Sequence, residues 1–290
     1  MQRFQVAKGL SVVGDVAGDP EGPPVVLLHG GGQTRHSWKS AADALVAAGH
    51  HVVALDARGH GDSDWDPAGD YSIDALVADL QQVLAQTPRL PVLVGASMGG
   101  MTALAAVGEA MQPIARALVL VDVTPMIDAK GTEHIAAFMR NHSEGFETLD
   151  QAAEAVANYV PNRPRPVDAS GLMRNLRERQ GRLYWHWDPR LISQDRRGRA
   201  SVQTRLEAAT RRLRVPTVLI RGSESNIVGH AEVAHFRALA PDAEYIDVPG
   251  AGHMVAGDRN DAFNAGILDF IARVERGDAV SPAASLSRAH

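Results

Sequence analysis

The chain has 290 residues, 45% hydrophobic and 22% charged, enough for one large α/β domain or a domain carrying an insertion. A formal net charge of −5 leaves no basic footprint for nucleic acid or an anionic membrane surface. The absence of cysteine excludes disulfides and thiolate metal sites and fits a cytoplasmic protein; the start of the chain shows no signal-peptide pattern, and no apolar run is long enough for a transmembrane helix.

In chain order, 25–28 reads as a first buried strand, 38–48 as a helix and 52–55 as a strand. A helix at 72–86 follows, with Ser72 placed to cap its start. A strand at 92–94 leads into a helix at 98–110, and 117–121 is the next strand. After a long break come a strand at 215–220, a helix at 231–240, a strand at 245–248 and a helix at 261–273. This alternation predicts an α/β fold, a mostly parallel sheet with helices on both faces. Right-handed crossovers then bring the carboxyl ends of the strands to one edge.

The alternation stops between Thr124 and Leu213. That block reads as strandless and helix-rich, with a stiff PNRPRP turn at 161–166 and an aromatic stretch, YWHWDP, at 184–189. It is expected to form a helical lid, 125–213, inserted into a core made of 1–124 and 214–275. The small, polar residues 276–290 read as a disordered tail. No internal repeat is visible.

VGASMGG at 94–100 follows a buried strand and opens a helix. Its Gly-x-Ser-x-Gly core, with Gly95, Ser97 and Gly99, suits a strained turn that presents Ser97 as a nucleophile. HGGG at 29–32 ends an earlier strand, where the N–H of Gly31, paired with that of Met98, can face a developing oxyanion. A general base must come from twelve histidines. His253, in GAGHMV after the last strand, follows both acid candidates, the chain order of serine, acid and histidine in this kind of site. His60, in ARGHGDS, is the nearest rival, but that loop reads as structural.

HGGG, DARGHGDS, GASMGG and GAGHM together resemble the serine α/β-hydrolases over nearly the whole chain. Two positions depart from the commonest pattern. Ala96 precedes the serine where many relatives carry histidine, and the position three residues after Gly222, where most carry the acid, is Ser225. Two acids remain. Glu224 lies one residue early, whereas Asp122 leaves the strand expected beside that of Ser97, at the same sheet edge. A subset of the family places its acid there in a motif resembling Asp-x-x-Pro, matched by Asp122 and Pro125. That subset includes 2-(acetamidomethylene)succinate hydrolases, small acyl-ester hydrolases and cofactor-free dioxygenases; the first group also shows an Arg-Gly-x-x-Ser stretch like Arg221, Gly222 and Ser225. Asp122 is the preferred acid.

The resemblance implies hydrolysis of a small carboxylic ester or activated amide through Ser97, His253 and Asp122. The partner is a small molecule, and the chemistry needs no metal and no cofactor. Oxygenation without a cofactor, carbon–carbon bond hydrolysis and a receptor-like or scaffold role are the alternatives. Trp185, Trp187 and His186 in YWHWDP either wall a substrate pocket or cement the lid to the core. The arginines Arg163, Arg165, Arg174, Arg177, Arg179 and Arg182 read as a solvated face.

Overall fold

The computed structural model describes residues 1–142, 144–159, 170–192, 199–253, 255 and 260–278. Two antiparallel strands that the apolar runs did not announce, β1 (Gln2–Gln5) and β2 (Ser11–Ala17), open the chain. Of the six other strands of the same sheet, five match the predicted runs closely: β3 (Pro24–Leu28), β4 (His51–Asp56), β5 (Val92–Ala96), β6 (Ala117–Val121) and, near the end, β10 (Glu244–Val248). The sixth, β9 (Thr217–Gly222), starts two residues late, after Pro216, whose nitrogen has no proton for a ladder. The order is β1-β2-β4-β3-β5-β6-β9-β10, and all pairings from β4 to β10 are parallel.

Both faces of this sheet are buried, which is why its inner strands read as unbroken apolar runs rather than alternating ones. On one face Val26, Leu28, Leu118 and Leu120 pack with residues of α2 (Ile73–Ala85), α3 (Met98–Glu109), α6 (Arg199–Thr210) and α7 (His230–Leu239). On the other, Val25, Leu27, Ala117 and Val119 pack with α1 (Lys39–Ala47) and α8 (Asn260–Arg276). Ser72 caps α2 by accepting the Ala75 N–H at 3.3 Å. No described helix is long and apolar enough to cross a membrane.

Between β6 and β9 the chain forms α4 (Ala129–Arg140), α5 (Leu149–Tyr159), a β-hairpin of β7 (Leu176–Arg179) and β8 (Arg182–Trp185), and then α6. The hairpin corrects the expectation of a strandless block. Its strands are only four residues long and bury just Leu176 and Trp185 fully, so no long apolar run betrays them. The insertion has a small core of its own, where Phe146, Ala152, Ala155, Leu176, Trp185 and Trp187 are buried together. The PNRPRP turn lies outside the described residues. Of the expected tail, Arg276 still belongs to α8, while 279–290 lie outside the described residues.

Candidate active site

β5 ends at Ala96 and α3 begins at Met98, so Ser97 alone makes the turn. Its backbone sits at φ 46° and ψ −115°, a conformation that costs a residue with a side chain about 1–3 kcal/mol. Only glycine fits around it. A Cβ on Gly99 would stand 2.4 Å from Leu28 O, and one on Gly95 2.6 Å from the Gly100 Cα. Ser97 N–H bonds Val121 O at 3.2 Å and Gly99 N–H bonds His29 O at 3.1 Å. The turn therefore hangs between the ends of β3 and β6.

The β5–β6 register pairs Ala96 with Val121, so Ser97 and Asp122 leave adjacent strands at one level. Asp122 is fully buried, at φ 47°, with its N–H on Ile220 O at 2.8 Å. Its Oδ2 lies 2.6 Å from His253 Nδ1 and accepts the Ser225 hydroxyl at 2.5 Å; its Oδ1 accepts the Gly222 N–H at 3.2 Å. The Ser225 oxygen in turn accepts the N–H groups of Ile227 and Val228, each at 3.1 Å, which leaves its proton for Asp122. With Nδ1–H donating to the carboxylate, neutral His253 keeps Nε2 as its proton acceptor. Glu224 is exposed, with its backbone N–H on Ala251 O at 2.8 Å. The acid in contact with His253 is Asp122.

Sequence reasoning missed the part of Ser225. The signal was present, because Ser225 stands where an acid was expected, but only the folded contact makes it a donor to the acid that replaced it.

The HGGG segment forms a four-residue turn closed by Gln33 N–H on Gly30 O at 3.1 Å, with Gly32 at φ 73°, as in a type II turn. Gly30 N–H is held by Gln33 Oε1 and Gly32 N–H by His60 Nε2, both at 3.1 Å. Gly31 N–H, between them, has no acceptor among the described residues. The Met98 sulfur is the nearest atom to the space a Gly31 Cβ would fill, at 4.0 Å.

Three buried histidines support this loop. His29 donates from Nδ1 to Gly30 O at 2.8 Å and accepts the Ala57 N–H at 3.0 Å. His60 donates from Nδ1 to Arg58 O at 3.1 Å, so both of its nitrogens are committed and it is no free base. His186 accepts the Gly61 N–H at 2.8 Å. Burial lowers the pKa of all three, well below the usual value for His60 and to about 3 for His186, so they are neutral near pH 7.

The side chains of YWHWDP pack inward. His186 is buried against backbone of the core loops, and Trp185 stacks on Trp187 with ring centroids 5.0 Å apart and meets Phe146 edge-on. Several arginines of the insertion are likewise engaged. Arg177 pairs with Asp62 at 2.7 Å, Arg182 with Glu147 at 3.2 Å, and Arg179 lies over Trp65. Arg174 is exposed, while Arg163 and Arg165 lie outside the described residues. A cavity of about 480 Å³ opens between α4 and α5, lined by His134, Phe138, His142, Glu154 and Tyr159 among others. Ser97, Asp122 and His253 are not in its wall. Among the described residues no group of three His, Cys, Asp or Glu side chains could hold a metal ion.

Residues 23–259 match the family described as the alpha/beta hydrolase fold. The chain belongs to the α/β-hydrolase family. The sn-1-specific diacylglycerol lipase ABHD11 of Mus musculus is 31% identical over 268 residues, covering 88% of this chain and 83% of the relative. Esterase Rv0045c of Mycobacterium tuberculosis is 31% identical over 247 residues, covering 82% and 78%. The crystal structure of E-2-(acetamidomethylene)succinate hydrolase superposes with a TM-score of 0.83, covering 93% of this chain and 98% of that one; at 24% identity it shows the shared hydrolase fold.

Proposed function

We propose that the protein is a serine hydrolase that cleaves small carboxylic esters or activated amides through an acyl-enzyme. The observation that carries this reading is the 2.6 Å contact of His253 Nδ1 with buried Asp122, one strand from the strained turn at Ser97. The lipase and esterase named above favour an ester bond.

Ser97 Oγ attacks the substrate carbonyl while His253 Nε2 takes its proton. Negative charge develops on the carbonyl oxygen, where the N–H groups of Gly31 and Met98 stabilise it. Met98 is the first residue of α3, so its N–H has no partner within the helix and adds the positive end of the helix dipole. His253 then returns the proton to the leaving alcohol or amine, which departs as Ser97 becomes acylated. A water repeats the sequence: His253 deprotonates it, it attacks the acyl carbon, and Ser97 regains its proton as the acid leaves. Asp122 holds the Nδ1–H tautomer throughout and stabilises the transient imidazolium. The insertion up to the β7–β8 hairpin acts as a lid beside this edge of the sheet, whereas α6, packed on the sheet with α3, belongs to the core; the buried tryptophans are the lid's internal core rather than a pocket wall.

The test is hydrolysis of p-nitrophenyl acetate by Ser97→Ala, with oxygen uptake followed in parallel. Loss of about 10⁶-fold in kcat is expected, the scale of removing a triad serine. Retention of a tenth of the activity would exclude Ser97 as the nucleophile, and oxygen consumption would select the dioxygenase alternative.

A further inference from the structure

We propose that His186 is a positioning residue of the oxyanion loop: together with His60 it holds Gly32 from two sides and so sets where Gly31 N–H points. The inference rests on the reading of Gly31 as an oxyanion donor.

Gly31 N–H shares its peptide plane with Gly30 O, which accepts the Gln33 N–H at 3.1 Å, and Gln33 N–H shares its plane with Gly32 O, so holding Gly32 holds the plane that carries Gly31 N–H. Two central glycines give these planes little steric bias of their own, and contacts supply it. Gly32 N–H reaches His60 Nε2 at 3.1 Å, and that nitrogen is free to accept because the ring's proton is on Nδ1, facing Arg58 O. His186 arrives from the insertion. Gly61 N–H can only donate, so His186 Nδ1 accepts it and the ring's proton lies on Nε2, which faces Gly32 O at 3.4 Å. Both polar groups of Gly32 therefore end on imidazoles, one from the core and one from the insertion.

The segment carrying His186 is itself pinned to the same core loop. Asp188 N–H bonds Gly59 O at 2.9 Å, and Tyr71 donates its hydroxyl to the Asp188 carboxylate at 2.5 Å. From α4, the Met139 sulfur lies 3.4 Å from the space a Gly32 Cβ would fill, while its neighbour Phe138 packs on Trp185 and Trp187. Seating of the insertion and orientation of the oxyanion loop are thus one event.

Two substitutions separate the two bonds of His186. Asparagine can replace Nδ1 as acceptor for Gly61 but is too short to reach Gly32 O. Glutamine can present an N–H where Nε2 stands but gives up the Gly61 bond. Fluorophosphonate labelling of the wild-type enzyme, mapped by mass spectrometry, comes first and supplies the active-site concentration. With p-nitrophenyl acetate, His186→Asn should keep its melting temperature and lose about tenfold in kcat with KM changed less than about twofold, short of the 10²–10³ for deleting an oxyanion donor. His186→Gln should stay within about threefold of wild-type kcat while melting lower. Wild-type kcat in His186→Asn, a loss confined to KM, or equal kcat losses in both variants would overturn the inference. If His186→Gln does not fold, the kcat of His186→Asn decides alone. An unlabelled Ser97 in the wild type would overturn the underlying reading as well, whereas a labelled Ser97 beside a fully active His186→Asn would overturn only the positioning role.

Discussion

Ser225 donates its hydroxyl to the Asp122 carboxylate at 2.5 Å, on the same oxygen that faces His253. The position after β9 that usually supplies an acid in this family here supplies a hydrogen bond to Asp122, at the end of β6. This arrangement separates the two acid candidates experimentally. Asp122→Asn keeps the shape but offers an amide that can lock His253 in the wrong tautomer, so kcat should fall on the order of 10⁴-fold. Glu224→Gln, at an exposed carboxylate, should cost less than about tenfold. Matching melting curves would show that both proteins are folded, and the reverse ranking would return the acid to Glu224.

Ser225→Ala removes one of the hydrogen bonds that orient Asp122 and also the acceptor of the Ile227 and Val228 N–H groups. Such bonds contribute about 0.5–1.5 kcal/mol each, or more when one partner is charged, so roughly a tenfold loss of kcat is expected with little change in KM. Ser225→Thr retains the hydroxyl and should recover most of the rate. Activity equal to wild type in the alanine variant would show that Asp122 needs no such support.

Trp185 is buried among Phe138, Phe146 and Trp187. Trp185→Ala should therefore act on stability, by about 3–5 kcal/mol, the usual range for emptying a large aromatic from a core. The insertion should become the preferred site of limited proteolysis, while preference between acetate and butyrate esters stays unchanged. A shift in chain-length preference without loss of stability would restore Trp185 to the substrate pocket.

His29, His60 and His186 are neutral in the folded state because burial disfavours their charged forms. In the unfolded chain they titrate near 6.5. Below that pH the unfolded state binds more protons than the folded state, so stability falls as the pH drops, each histidine contributing up to about 1.4 kcal/mol per pH unit until its folded pKa is reached. For His186 the window runs from 6.5 down to about 3. Urea midpoints at pH 7 and pH 5 should differ clearly, with the lower midpoint at pH 5. Equal midpoints would mean that these rings are hydrated in solution.

Where burial is complete, the sequence carried the structure openly. β3, β5 and β6 are covered on both faces, so every residue of their cores must be apolar and the runs stand out unaided. The glycines flanking Ser97 were legible for a related reason: no other residue fits against Leu28 O or the start of α3. The hairpins β1–β2 and β7–β8 escaped notice because their partly exposed strands can alternate or be polar, and pairing rather than burial defines them.

What no local pattern could decide is which distant groups meet. Asp122 and His253 are 131 residues apart, and Asp122 and Ser225 are 103. Their contacts exist because β9 pairs with β6 on one side and with β10 on the other, bringing the loop after each strand to the same edge. The fate of YWHWDP was decided in the same way. Its composition suits a core or a pocket wall, and the positions of Phe138, Phe146 and Gly61 place it in a core whose histidine reaches Gly61 and Gly32. Chain-local physics chose the strands and the strained serine turn, whereas the choice of acid and the seating of the insertion depended on hydrogen bonds between segments that only the folded sheet brings within reach.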